Sequence, residues 1–381
     1  MSKLKNKKYD LFIFAGELSG DLHGASLLKE LKKQRPKLKI CAVAGPKMRK
    51  EDIDLLLPTE KFLVLGFIDV VLNFPKLFYY FLKIKKFILT CQPKAVLFID
   101  YPGFSIAMEK ALRKKNFKGK LIHYICPTVW AWKKKRIFTL NRVLDLLLCI
   151  LPFEPKCFAN LPKNTSSVDT HYVGHPLIAQ IPSAEKNTPQ NIIGLFPGSR
   201  IHAIKRNLPI QIKAVEQFME KDENLKCGIS LSHPKFVPLI KEMTKQKKNF
   251  FFFSQEDNYQ MMKKLKLAIA TSGTITLELA LHNVPTVVTY AIKPLDLFIA
   301  RKIFKINLPY YCLVNIIANK EIFKEAYGPN LTPENLLHHI ETFLNEKERE
   351  KCIEECKNIR KILGEKNAAK EATKLILKCI F

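Results

Sequence analysis

No Cys-x-x-Cys, no zinc-spaced pair of histidines and no apolar run of ~18 residues occurs in this 381-residue chain. Its ten cysteines are scattered, and the one close pair, Cys352 and Cys356, lies four apart in a charged stretch. Disulfide frameworks and structural metal sites use tighter or more regular spacings, so reduced thiols and no metal are expected. His338 and His339 are adjacent and would point in different directions on a helix. Lysine-rich Met1 to Tyr9 precedes only five apolar residues, Leu11 to Ala15, before Gly16-Glu17. That core is too short for a signal peptide, so it reads as a first β-strand and the expected location is the cytoplasm. Neither a P-loop nor a Gly-x-Gly-x-x-Gly is present, which counts against an ATPase and a dinucleotide dehydrogenase. Acidic residues are scarce, 35 against 63 basic, giving a formal charge of +28. Nucleic acid, an anionic membrane or a merely lysine-rich composition could account for that. No helix-turn-helix, zinc-finger or RNA-binding signature accompanies the charge, so nucleic acid is not an expected partner.

What is present is a rhythm. At 47% hydrophobic, the chain has material for a sizeable core, and its length favours two domains. Short β-rich runs at Tyr9–Ala15, Lys39–Ala44, Ala95–Asp100, Leu121–Ile125 and Leu146–Ile150 alternate with helical stretches at Asp21–Gln34, Pro75–Leu89 and Phe104–Lys115. The second half repeats this with Ile192–Phe196, Lys226–Leu231, Asn249–Phe253, Leu267–Ala270 and Thr286–Tyr290. Such alternation predicts parallel sheets covered on both faces. The polar, proline-bounded stretch Ile181 to Gln190 suits a linker. The expected class is α/β: two Rossmann-like domains, 1–180 and 190–345, facing across a cleft, with a charged helical segment at 346–381.

Phe62 to Leu82 departs from the rhythm. It is almost wholly apolar, but Asp69, Asn73, Lys76 and Lys83 would form one narrow polar stripe on a helix. A core helix bent at Pro75 is one reading. The other is a helix in a membrane interface, with Phe67, Val71, Phe74 and Phe78 toward lipid and Lys83, Lys85 and Lys86 at headgroup level. The aromatic content favours the second.

Open parallel sheets bind ligands at the carboxyl ends of their strands. After the first strand comes Gly16-Glu17-Leu18-Ser19-Gly20-Asp21, a glycine-serine turn opening a helix. After Phe196 comes Pro197-Gly198-Ser199-Arg200, where the glycine admits a ligand to the backbone and the guanidinium can fork onto phosphate. After Ala270 comes Thr271-Ser272-Gly273-Thr274, with Glu278 one turn into the next helix, placed to accept from ribose hydroxyls. Each loop alone is also ordinary helix capping. Together they suggest a diphosphate clamp in a nucleotide-sugar enzyme.

These loops, with Ala44-Gly45-Pro46-Lys47-Met48, Ile99-Asp100-Tyr101-Pro102-Gly103-Phe104, Pro127-Thr128-Val129-Trp130-Ala131-Trp132, Pro152-Phe153-Glu154-Pro155 and Val173-Gly174-His175-Pro176-Leu177, resemble in order the motifs of the lipid-A-disaccharide synthase family. The resemblance runs from about residue 9 to at least 330. Ser105 stands where that pattern has Asn, Cys126 where it has Ser, and the fit loosens around Asn315 to Glu325. The resemblance implies a GT-B fold and an inverting, metal-free and cofactor-free glycosyl transfer from UDP-diacylglucosamine to acylated glucosamine 1-phosphate. It also implies peripheral association with an anionic inner-membrane surface, and a C-terminal segment that either crosses back to the N-terminal domain or exchanges between the subunits of a homodimer. Asp100 is then the expected base, with capping of the following helix as its other role, and Glu17 the second carboxylate. Ser19, Asp21, Asn315 and Glu325 are expected on the acceptor or cleft side. Gly198, Ser199, Arg200, Ser272, Gly273, Thr274 and Glu278 are expected around the donor, the amides of Ser199, Ser272 and Thr274 assisting Arg200. Trp130 and Trp132 would line the cleft or sit in the core, and His175 would serve a hinge or a turn. A peptidoglycan transferase or UDP-GlcNAc epimerase remains the rival within enzymes, and a basic nucleic-acid binder the rival outside them.

Overall fold

The computed structural model describes residue 4 and residues 7–62, 73–131, 134–159, 167–182, 188–245, 249–292 and 308–381. The chain forms two compact units, one of Met1–Ala179 with Lys366–Phe381 and one of Gln180–Glu365.

The first unit is built on a seven-stranded sheet of order β3-β2-β1-β4-β5-β6-β7, every neighbouring pair parallel. Its strands are β1 (Leu11–Ala15), β2 (Ile40–Ala44), β3 (Asp54–Pro58), β4 (Ala95–Ile99), β5 (Lys120–Tyr124), β6 (Leu146–Cys149) and β7 (Asp169–Tyr172). The helices between them are α1 (Leu18–Gln34), α2 (Phe74–Cys91), α3 (Pro102–Lys114), α4 (Arg136–Val143) and α5 (Lys156–Ala159), and α6 (Pro176–Gln180) closes this stretch. Alternate side chains of each strand enter opposite cores, as the period of two requires. Phe12 and Phe14 of β1 join Phe98, Phe62, Ile84 and Phe87 on one face. Leu11, Ile13 and Ala15 join Leu97, Leu27 and Leu31 on the other.

The second unit carries a six-stranded parallel sheet of order β10-β9-β8-β11-β12-β13. Its elements run β8 (Ile192–Phe196), α7 (Ile201–Met219), β9 (Lys226–Leu231), α8 (Val237–Met243), β10 (Phe250–Ser254), α9 (Asn258–Met262), β11 (Leu267–Thr271), α10 (Thr274–Leu281), β12 (Thr286–Tyr290), α11 (Leu313–Ala318), β13 (Lys324–Tyr327), α12 (Pro333–Leu344) and α13 (Glu346–Leu363). Gly364, at φ +64°, ends α13 in a backbone region that suits glycine, and α14 (Ala368–Ile380) follows. Ala368, Ala372 and Ile376 of α14 complete the apolar face over α1 in the first unit.

Both sheets reverse direction once. In the first the switch lies between β1 and β4, in the second between β8 and β11. The expected strands match β1, β2, β4, β5, β6 and β8 to β12 within two residues, and the strands that pattern reading missed, β3, β7 and β13, are all edges. The proposed bend at Pro75 is corrected. Pro75 occupies the first turn of α2, where its missing amide costs nothing, and Phe62 lies outside that helix as a fully buried core residue.

Candidate active site

Ligands of doubly wound sheets bind where the strand order reverses. In the first unit that point collects the loops after β1 and β4, hence Gly16, Glu17 and Ser19 on one side and Asp100 and Tyr101 on the other. Glu17 and Ser19 are exposed. Gly16 has no room for a side chain, because a Cβ there would lie 2.8 Å from the Tyr101 ring. Asp100 and Tyr101 both take the left-handed conformation, at φ +52° and +55°. That is unfavourable for a residue with a Cβ, least so for Asp, and it concentrates at functional turns. The turn is held by the Asp100 amide donating to Tyr124 O at 3.0 Å and the Ser105 hydroxyl donating to Asp100 O at 2.8 Å. The Asp100 side chain makes no cap of α3, whose N-cap is Tyr101. Burial raises the Asp100 pKa, while a positive charge on His123 and the Tyr101 amide draw it back.

Asp21 has a different task. It is buried, and its carboxylate accepts from the amides of Gly45 at 2.9 Å, Lys47 at 2.8 Å and Met48 at 3.0 Å. It anchors the loop after β2 and is not positioned to hold an acceptor.

In the second unit the reversal brings together the loops after β8 and β11. Gly198 sits at φ +108°, and a Cβ there would stand 3.3 Å from Ala203 Cβ and 3.6 Å from Thr271. Ser199 and Arg200 are exposed at the start of α7, and Gly273 and Thr274 at the start of α10. First-turn amides of a helix have no intrahelical acceptor, which suits them to an anion. Thr271 Oγ1 lies buried beside Gly198 with no hydrogen-bond partner. The sequence reading placed Thr271 at the head of the loop after Ala270 but not among the expected donor residues.

Four residues expected on the donor or cleft side are already engaged by the local structure. The Ser272 amide donates to Thr289 O at 3.0 Å, extending the sheet, and its hydroxyl donates to Tyr311 O at 3.5 Å. Its amide is therefore taken up by the sheet. Glu278 is raised by burial and takes a hydrogen bond from Tyr259, so the local structure already uses its carboxyl. Asn315 is wholly buried and bonds Ile322 N, Phe323 N, Phe323 O and Glu325 Oε1 at 2.8–2.9 Å. Glu325 also accepts from the amides of Tyr311 and Cys312. These two residues lock β13 to the start of α11.

Among the described residues one group could hold a metal: Cys126, Cys149 and Glu154, all buried, with ligand atoms within 4.8 Å of one another. Glu154 is pushed up to about 8 by burial, and both its oxygens already accept, from Trp130 Nε1 at 3.3 Å and from the amides of Ile150 and Leu151. Trp130 thus belongs to a motif-to-motif clasp, while Trp132 lies outside the described residues. His175 is buried in its turn, with Nδ1 accepting from Leu177 N at 3.3 Å and its pKa pushed down to about 4 by desolvation.

The α2 helix divides its two faces. Tyr80, Ile84, Phe87 and Ile88 enter the core, whereas Phe74, Phe78, Tyr79 and Leu82 are 60%, 50%, 60% and 42% exposed. The core reading thus holds for one face of α2, and the other face is the one the membrane reading concerns. Phe67 and Val71 lie outside the described residues. No helix among the described residues is long and apolar enough to cross a membrane.

The sequence model of the lipid-A-disaccharide synthetase family matches residues 11–379. The chain belongs to this family. The lipid-A-disaccharide synthase of Chlamydia pneumoniae is 36% identical over 375 residues, covering 94% of this chain and 61% of that protein. The chain thus spans about three fifths of the chlamydial relatives' length. The synthase of Blochmanniella pennsylvanica is 31% identical over 350 residues, covering 89% of this chain and 88% of that one. Among solved structures, UDP-GlcNAc 2-epimerase from Neisseria meningitidis bound to UDP-GlcNAc superimposes with a TM-score of 0.64 at 13% identity, over 97% of this chain and 99% of that one. MurG of Acinetobacter baumannii does so at 0.58 and 15%, over 98% and 100%. These likenesses identify the fold as GT-B.

Proposed function

We propose that this chain is an inverting glycosyltransferase that condenses UDP-2,3-diacylglucosamine with 2,3-diacylglucosamine 1-phosphate, giving the β-1,6-linked disaccharide 1-phosphate and UDP. The observation that carries the proposal is the family match across nearly the whole chain, supported by the synthases of two organisms and by the placement of the candidate loops at both sheet reversals. In this scheme the acceptor 6-hydroxyl attacks C1 of the donor sugar while the bond from C1 to the UDP oxygen breaks on the opposite face. Asp100 takes the hydroxyl proton, and Glu17 orients the acceptor or that base. In the second unit the Ser199 and Thr274 amides, the open backbone at Gly198 and Gly273, Thr271 Oγ1 and Arg200 bind the diphosphate and stabilise the charge it gains on leaving. The exposed aromatic face of α2 with Lys83, Lys85 and Lys86 meets an anionic membrane surface, where acylated substrates reside. Exchange of C-terminal segments in a homodimer is a further element of this reading.

The decisive assay measures UDP release from UDP-diacylglucosamine with and without the acylated acceptor. Release that requires the acceptor is the expected result. Acceptor-independent release, or change at C2 of the donor sugar, would overturn the transferase assignment in favour of an epimerase. Because one guanidinium serves both bound and leaving diphosphate, Arg200→Ala is expected to weaken UDP binding and slow transfer together, each by roughly tenfold. Calorimetry showing unchanged UDP affinity would remove Arg200 from the site.

A further inference from the structure

Two thiols and a carboxyl meet at the carboxyl end of the first sheet and have no task in the scheme above. Cys126 follows β5, Cys149 ends β6 and Glu154 stands in the turn after it. Their ligand atoms lie within 4.8 Å of one another. All three side chains are buried, Glu154 to 1% exposure, and both thiols are free. A buried cysteine is often a small apolar filler, but filling space does not account for a carboxyl set among thiols. Glu154 keeps room to coordinate. Its Oε2 accepts from the amides of Ile150 and Leu151, while the bond to Oε1 from Trp130 Nε1 is long, at 3.3 Å. A carboxylate oxygen has two lone pairs, so one remains. Cys157 lies on the same turn, its amide donating to Glu154 O at 3.0 Å. Its half-buried thiol is directed to Phe153 O at 3.9 Å.

We propose that Cys126, Cys149 and Glu154 form a binding site for a zinc ion, with Cys157 or a water closing a tetrahedral shell. Two sulfurs with one carboxylate suit zinc, whereas magnesium and calcium demand oxygen donors. Ligand atoms around tetrahedral zinc stand about 3.3–3.8 Å apart, so atoms already within 4.8 Å need move little. As the ion enters, the two thiols and the carboxyl release their protons to solvent, because a coordinating thiol is deprotonated outright. The expectation of no metal rested on spacing along the chain. Here the donors come from the ends of neighbouring strands, brought together by the parallel pairing of β5 with β6. The ion would tie the segment 126–131 to the turn after β6, and no step of the proposed transfer runs through it.

The test takes untagged full-length protein, strips it with a chelator and titrates it with zinc, and with cobalt as a spectroscopic stand-in. Near-stoichiometric cobalt should bind with thiolate-to-cobalt charge transfer in the near ultraviolet and the visible bands of a tetrahedral ion. Zinc should displace it and raise the melting temperature. Cys126→Ser keeps the shape of the side chain and a group able to donate to Pro127 O, as the thiol does at 3.4 Å, so the fold is expected to hold. Its zinc affinity should fall by roughly tenfold or more, with the thiolate band weakened or lost. The same is expected of Cys149→Ser. Zinc affinity and cobalt spectra equal to the parent's in both variants would place the ion elsewhere and overturn the proposal. Should the variants not fold, the parent decides the matter: cobalt that binds without thiolate charge transfer, or does not bind, overturns it.

Discussion

Asp100→Asn is expected to retain the fold and UDP binding while lowering turnover by roughly 10²–10⁴, the usual range for loss of a general base. The substitution is well matched to its site. Asparagine tolerates a positive φ about as well as aspartate, and the bonds holding this turn use the Asp100 backbone and the Ser105 hydroxyl, which the change leaves in place. What is lost is the carboxylate's ability to take a proton. UDP affinity is expected to be unchanged, because the loops proposed to hold the diphosphate belong to the second unit. Single-turnover transfer and UDP calorimetry on the same preparation separate the two effects. Turnover within a few-fold of the parent, together with abolition in Glu17→Gln, would move the base to Glu17.

The second large effect concerns α2. Changing Phe74 and Phe78 together to serine is expected to weaken binding to anionic vesicles roughly ten- to hundredfold. Burying a phenylalanine side chain is worth about 1.5–3 kcal/mol. Both rings are half or more exposed on the protein, so about half of that is available at each when the helix enters an interface. The melting temperature should hold, because the helix is anchored through Tyr80, Ile84, Phe87 and Ile88 on its other side. Removing Phe87 instead would strip a wholly buried ring at a cost of about 3–5 kcal/mol. Vesicle binding equal to the parent's would end the membrane reading of this face, as would a double variant that melts or precipitates.

The contrast within α2 shows how much sequence reading could see. An apolar stretch with aromatic residues on every side is visible in one dimension, but which ring has a neighbour depends on what packs there. Tyr80 meets Phe62 at 5.5 Å between ring centroids, and no pattern over residues 74–91 contains Phe62. Central strands were legible because burial on both faces makes them continuous apolar runs. The edges β7 and β13 were not, because one side of an edge strand is open and the sequence there turns polar, and β3 was missed as a three-leucine run closed by a proline. The candidate loops were found from glycine, serine and arginine after strands. That they converge at two sheet reversals depends on strand order, which only the folded chain reveals. Asn315, Glu325, Asp21 and Ser272 show the limit from the other side: polar residues near loops whose partners turned out to be backbone amides and carbonyls. Glu109 and His123, a buried pair with His123 Nδ1 2.6 Å from Glu109 Oε1, left a fainter signal. Glu109 shares the buried face of α3 with Ile106, Met108 and Leu112, and His123 interrupts a buried strand. Charged residues at apolar positions invite a search for a partner, but fourteen residues of separation conceal it.

The return of α14 to the first unit sets an order of events during synthesis. Leu27, Leu28 and Leu31 emerge from the ribosome early, yet the helix that covers their side of the sheet follows only after all of Gln180–Glu365. At roughly 5–20 residues per second, that apolar surface stays uncovered for roughly ten to forty seconds. The first unit's domain boundary, drawn in space, is no guide to where translation could stop and leave a folded product.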